Sequence, residues 1–120
     1  MRLGEDVAVH ALIVSARGQV VEGGFVWRDG RAESIARVQF APHREGEVLR
    51  GLELEVTTAG GESIRITGEV ERSITVPVDP DRRLHRHLSG RPWRLRLDEN
   101  FTRYEGLGRR GHGMAEITRR

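Results

Sequence analysis

The sequence predicts an all-β fold: an antiparallel up-and-down barrel, or a strongly rolled sheet, of about eight strands. Two observations carry this. Apolar residues recur with period two along nearly the whole chain, the spacing that puts alternate side chains on opposite faces of a strand. Short glycine-containing turns interrupt the alternation at close intervals, as a meander requires, and closing such a sheet on itself removes its exposed edges. The 120 residues fit one domain, residues 1–120, and the hydrophobic content, glycine not counted, is 37%. A thin sheet with a small core follows.

The elements can be justified in order. Val7, Val9, Ala11 and Ile13 line one face of a first strand, with Ala8, His10, Leu12 and Val14 on the other, and "ARGQ" turns the chain into "VVEGGFVWR". "RDGR" is a hairpin signal because Asp29-Gly30 suits the positive φ values of a tight turn, joining 20–28 to 32–40. "APHREGE" reads as a loop, and "VLRGLELEVTT" as a strand with Leu52, Leu54 and Val56 on one face and Glu53 and Glu55 opposite. "AGGE" makes the next turn. In "SIRITGEVERSITVPV" the apolar residues Ile64, Ile66, Val70, Ile74 and Val76 all fall on even positions, which predicts a long strand bent or bulged at Gly68. Pro77 and Pro80 punctuate the chain, and "PDRRLHRHL" is the one stretch with the character of a short helix. "RPWRLRLDENF" resumes as strand, and "GLGRR" separates Phe101–Glu105 from a final strand over 111–118.

Composition narrows the function. All 20 basic residues are arginine and 18 acidic residues nearly cancel them, for a net charge of +2. Charges of both signs alternate along most of the chain, the pattern of a solvated surface, so nucleic acid is not an expected partner. The exception is the segment 82–96, where Arg82, Arg83, Arg86, Arg91, Arg94 and Arg96 form the one candidate anion-binding stripe. Without cysteine there is no disulfide framework, thiol nucleophile or thiolate metal site. "VAVHALIVSA" is too short to span a bilayer and follows Glu5 and Asp6, unlike a signal peptide. A soluble, cytoplasmic protein that needs no membrane is expected.

Few residues carry recognisable chemistry. On the final strand His112, Met114 and Glu116 share one face, while Gly111, Gly113, Ala115 and Ile117 on the other let a chain segment or ligand approach the backbone. His112 and Glu116, four residues apart, stand roughly 13 Å from each other along a strand and form no direct dyad. His10, between apolar neighbours, reads as an interior histidine. With His112 and Glu116 it makes the set of acid–base candidates for an enzyme of hydratase or isomerase type. His85 and His87 would share one side of a strand but read as solvated loop residues, as does His43, and no metal site is expected. The aromatic residues Phe25, Trp27, Trp93 and Tyr104, with Met114, are the candidates for lining a pocket for an apolar ligand. "GLGRRGHG" does not lead from a strand into a helix and is no phosphate loop, and no nucleophile elbow is present. No cofactor is expected.

The segments "GGFVWRDGRAESIARV" and "ENFTRYEGLGRRGHGMAE" resemble the C-terminal part of bacterial proteins related to the carotenoid hydratase (hydroxyneurosporene synthase) and other two-domain lipocalin-like proteins. The matching positions are the hairpin Gly24–Gly30, Glu99 with Tyr104 and Glu105, and the final strand from Gly111 to Glu116. The resemblance implies a calycin-type, lipocalin-like barrel and carries no catalytic residue onto this chain. Because those relatives hold two tandem halves, it also implies a homodimer here, with Trp27 or Trp93 nearer the interface than the arginine-rich segment. The expected function is binding of an apolar or amphipathic small molecule, with the acid–base enzyme and the arginine-based anion or nucleic-acid module as alternatives.

Overall fold

A computed structural model of the chain describes residues 1–78 and 95–119. Among them eight strands run β1 (Arg2–Leu3), β2 (Val7–Ala16), β3 (Gln19–Arg28), β4 (Arg31–Glu45), β5 (Val48–Thr58), β6 (Ser63–Val78), β7 (Leu95–Gly106) and β8 (Arg109–Arg119). Each pairs antiparallel with its sequence neighbour, and β8 meets β1 to close the barrel. The described residues contain no helix, and so none long and apolar enough to cross a membrane. The short helix expected within 80–88 lies outside the described residues.

Asp29-Gly30 takes the positive φ values that its turn chemistry predicts, 52° and 72°, the type I′ geometry that matches the twist of the strands it joins. Arg17-Gly18 and Leu107-Gly108 adopt the same signs, at 52° and 76° and at 52° and 67°. Four of the connections, at Gly4–Asp6, Asp29–Gly30, Ala59–Glu62 and Leu107–Gly108, gather at one end of the barrel. Here the wall is continuous, and Leu3, Val7, Val26, Ile35, Val56, Ile64, Ile66 and Tyr104 fill the interior.

At the opposite end the wall separates into ribbons. Pairing between β3 and β4 stops at Phe25↔Ser34, although β2 and β3 continue together to Ala16↔Gln19 and β4 and β5 to Glu45↔Val48. β5 leaves β6 after Gly51↔Glu69, while β6, β7 and β8 remain a three-stranded sheet up to Val78, Leu95 and Arg119. The result is elongated, 48 × 29 × 23 Å, with a closed half and a flared half.

Three expectations need correction. The stretch 41–45 is strand rather than loop, because β4 stays paired with β5 through Pro42↔Leu52 and, past a register shift, Arg44↔Leu49. His43 therefore belongs to β4. In β6 the irregularity lies between Val70 and Arg72, not at Gly68. Gly68 faces inward instead, and a Cβ there would stand 2.9 Å from the Tyr104 ring and 2.7 Å from the Thr102 methyl. The extra residue, Glu71, reverses the alternation. Ile64 and Ile66 are buried, whereas Ile74 and Val76, also on even positions, are exposed.

Candidate functional site

The flared half holds the most unusual arrangement in the molecule. Beyond the bulge at Glu71, the inward positions of β7 and β6 are polar. Thr102, Asn100 and Asp98 lie two residues apart on one face of β7 and are all buried, and Ser73 and Thr75 stand opposite Asn100 and Asp98 on β6. Ser73 Oγ donates to Asn100 Oδ1 at 2.7 Å and Thr75 Oγ1 to Asp98 Oδ1 at 2.8 Å. Asn100 Nδ2 donates to the Ala115 carbonyl at 3.0 Å, crossing to β8, and Thr102 Oγ1 to the Asn100 carbonyl at 3.0 Å. Buried polar groups stay in a fold only when they are hydrogen-bonded. This row meets that condition by bonding across three strands.

Across the flared end, β2, β3 and β4 supply an apolar wall. Register with the buried Val9, Val26 and Leu54 places Ile13, Val20 and Phe40 on inward positions, yet all three are exposed. Glu22, inward on β3, reaches over the gap between β3 and β4 and accepts a hydrogen bond from the Val38 amide at 3.2 Å. That carboxylate satisfies one donor on an edge that β3 leaves unpaired.

The predicted site residues are not brought together. Among the acid–base candidates, His10 is exposed on the outer face of β2 and stacks on Phe25 with ring centroids 5.6 Å apart. His10 is therefore not an interior histidine. Val7, Val9, Ala11 and Ile13 take the inward positions, and the outer face of β2 is apolar as well, so alternation alone does not choose between them. His112 faces outward from β8, its Nε2 3.7 Å from Glu71 Oε2, and Glu116 is exposed on the same outer face. Of the pocket candidates among the described residues, Phe25, Trp27 and Met114 are exposed on the outer surface and Tyr104 is buried inside. Burial raises the Tyr104 phenol above its usual pKa, with a hydrogen bond to Thr102 acting against it. Trp93, His85 and His87 lie outside the described residues, as do Arg82, Arg83, Arg86, Arg91 and Arg94. Arg96, the last arginine of that stripe, is exposed on β7.

One sequence reading of the final strand finds its physical reason. Gly111 and Gly113 do face a closely approaching chain segment, and that segment is β1 with Met1 ahead of it. A Cβ on Gly111 would lie 1.7 Å from the Arg2 carbonyl oxygen, and one on Gly113 2.6 Å from Met1 Cα. Ser73, Thr75, Asp98, Asn100 and Thr102 escaped the sequence reading, although Asp98, Asn100 and Thr102 carry period two as clearly as any apolar row.

The closed end is held by exposed ion pairs. Arg109 donates to both oxygens of Asp6, at 2.9 and 2.6 Å, and those hydrogen bonds hold the Asp6 carboxyl below its usual range. Arg28 pairs with Glu62 across the turns and lowers its pKa in the same way. An open outer groove of about 430 Å³ lies beside this end, lined by Arg65, Thr67, Glu105, Arg109 and Arg110. Its arginines are already engaged, Arg109 with Asp6, Arg110 with Glu105 and Arg65 with Glu55. Among the described residues no group of three or more His, Asp or Glu stands close enough to hold a metal ion.

Residues 1–120 match in full a family described as a domain of unknown function, DUF7064, and the chain belongs to that family. No curated protein and no solved structure matches it.

Proposed function

We propose that this DUF7064 domain binds an amphipathic small molecule, an apolar body carrying a hydroxyl group, between the two walls of its flared end. The observation that supports the reading is the pairing of opposites there. Ile13, Val20 and Phe40 offer exposed apolar surface on inward positions, and the barrel order sets them across from the hydroxyls of Ser73 and Thr75. Both hydroxyls spend their protons on Asn100 and Asp98 and keep oxygen lone pairs that a ligand hydroxyl can donate to. Apolar walls with a few placed polar groups are the usual make-up of small-molecule sites. The resemblance to lipocalin-like proteins points the same way.

The test is competition of straight-chain alcohols and the matching alkanes against an environment-sensitive apolar dye. The alcohols should displace the dye more strongly. Phe40→Ala should weaken all ligands about tenfold, a change of about 1.4 kcal/mol, while Thr75→Val should weaken the alcohols alone. If the folded protein binds neither dye nor alcohol at their solubility limits, the reading fails. The acid–base alternative keeps no inward-facing candidate, since His10, His112 and Glu116 all stand on the outer surface.

A further inference from the structure

The seam of the barrel is closed by very little strand. β1 contributes Leu3, between Val7 and Gly111, and Arg2, between Ala8 and His112. Met1 extends the line by one more row, exchanging backbone hydrogen bonds with Val9 at 2.9 and 2.8 Å. Beyond that row β2 and β8 run on in parallel, and among the described residues neither has a strand on its seam side. Continuing the same register gives facing rows His10/Met114, Ala11/Ala115, Leu12/Glu116, Ile13/Ile117 and Val14/Thr118.

The backbone of both lips points into this slot. Antiparallel ladders alternate, so each residue directs its N–H and C=O to one side only. The Ala16↔Gln19 pair closes a two-residue hairpin, which sends even residues of β2 toward β3. Odd residues, as Val9 shows with Met1, face the seam. Ala11, Ile13 and Ser15 therefore present their amides and carbonyls to the slot. On β8 the Arg110 carbonyl accepts from Gly4 N at 2.9 Å, so Met114, Glu116 and Thr118 present theirs from the other side. The side chains flanking the slot agree with a missing strand. Leu12, Val14, Phe25, Phe101 and Met114 are large apolar residues left exposed on the outer surface around it.

We infer that this slot receives an extended segment of another polypeptide as an inserted strand, antiparallel to β2 and β8 and in line with β1. Strand addition uses main-chain hydrogen bonds for affinity and alternate side chains for specificity, and here both lips are in register for it. The recognised chemistry follows from the rows. Inward positions fall between Ala11 and Ala115 and then between Ile13 and Ile117, so they call for small or branched apolar side chains. The outward position between them lies beside Leu12 and Glu116, where a cation on an aliphatic stem would meet the one carboxylate of these rows. Between Val7 and Ala16 on β2 there is no Asp, Glu or Arg to oppose it.

Amide hydrogen exchange on the intact chain, with and without the peptide Ac-Val-Thr-Val-Lys-Val-Thr-NH2, tests this directly. Saturating peptide should slow exchange at Ala11, Ile13, Ser15, Met114, Glu116 and Thr118 by about tenfold or more, leaving the even residues of β2 unchanged. The same peptide N-methylated on its valines should have no effect. The inference is overturned if the unmodified peptide protects none of these amides at millimolar concentration, or if the methylated one protects them equally. It is also overturned if the six amides are protected before peptide is added. In that case light scattering tells a slot filled by a second copy, with doubled mass, from one filled or closed within a single chain.

Discussion

The closed and flared halves of this barrel are made from the same strands, yet they distribute polar and apolar residues in opposite ways. In the closed half the interior is aliphatic apart from Tyr104, and the outer positions of β5, β6 and β7 carry Glu55, Arg65, Glu69, Arg103 and Glu105, each held in an ion pair. In the flared half the inner positions of β6 and β7 carry Ser73, Thr75, Asp98 and Asn100, and the outer ones Ile74, Val76 and Phe101. One bulged residue, Glu71, separates the two regimes on β6. The closed half is built for stability. Among the described residues the flared half leaves apolar surface exposed and strand edges unpaired, features that mark interaction sites in soluble proteins.

The sharpest way to break the contrast is at the seam. Gly111→Val should have the largest effect, because its side chain would occupy the position of the Arg2 carbonyl. We expect a loss above about 4 kcal/mol, the range reserved for a clash in a packed core, measured by urea denaturation. A matched pair comes next. Ile66→Ala, fully buried, should cost about 2–5 kcal/mol, whereas Ile74→Ala, on the same strand and the same parity, should stay within about 0.5 kcal/mol. Equal losses at the two positions would erase the distinction between the halves. Asn100→Ala should cost about 1–3 kcal/mol, since the Ala115 carbonyl loses its Asn100 donor and Ser73 its acceptor.

The smallest effects are those of pH, and they read the closed end alone. Asp6 and Glu62 have depressed pKa values when folded, so the unfolded chain takes up protons first. The stability they give is present above the ordinary carboxylate pKa and fades as pH falls through the depressed folded values. Both groups are exposed, so solvent screening keeps the loss small, and Asp6→Asn should flatten part of the acid limb of a melting-temperature profile. Tyr104 acts at the other extreme. Its folded pKa is raised by burial, so its contribution holds below the usual phenol pKa and disappears as pH rises through the folded value. Tyr104→Phe should flatten the alkaline limb only.

The fold was largely legible in the sequence because turn chemistry is local. "RDGR" specifies positive φ at Asp29 and Gly30, whatever the rest of the chain does, and the glycines of "ARGQ" and "GLGRR" mark two further turns. Facing was legible only where one parity was apolar and the other charged, as in "LELEV". On β2 both parities are apolar, so nothing local chose Val9 over His10 as the inward residue. A bulge is invisible to alternation, which is why Ile74 and Val76 read as continuations of Ile64 and Ile66. The candidate site was hidden by its own inversion. In "LDENFTRY" the structure buries the polar Asp98, Asn100 and Thr102 and leaves the apolar Phe101 exposed.

The two-row strand β1 has a consequence for how the molecule comes apart. Seven hairpin-type neighbours are joined through short connections or long runs of paired residues, but the seam joins Leu3 to Gly111, nearly the full length of the chain away. Bringing such distant segments together carries the greatest loop-closure entropy of any pairing in the barrel, and here few hydrogen bonds and one fully buried leucine offset it. The seam is thus a zipper with very few teeth: of all the strand junctions, it takes the least work to part, and a parted seam leaves a flat meander that still keeps every other neighbour.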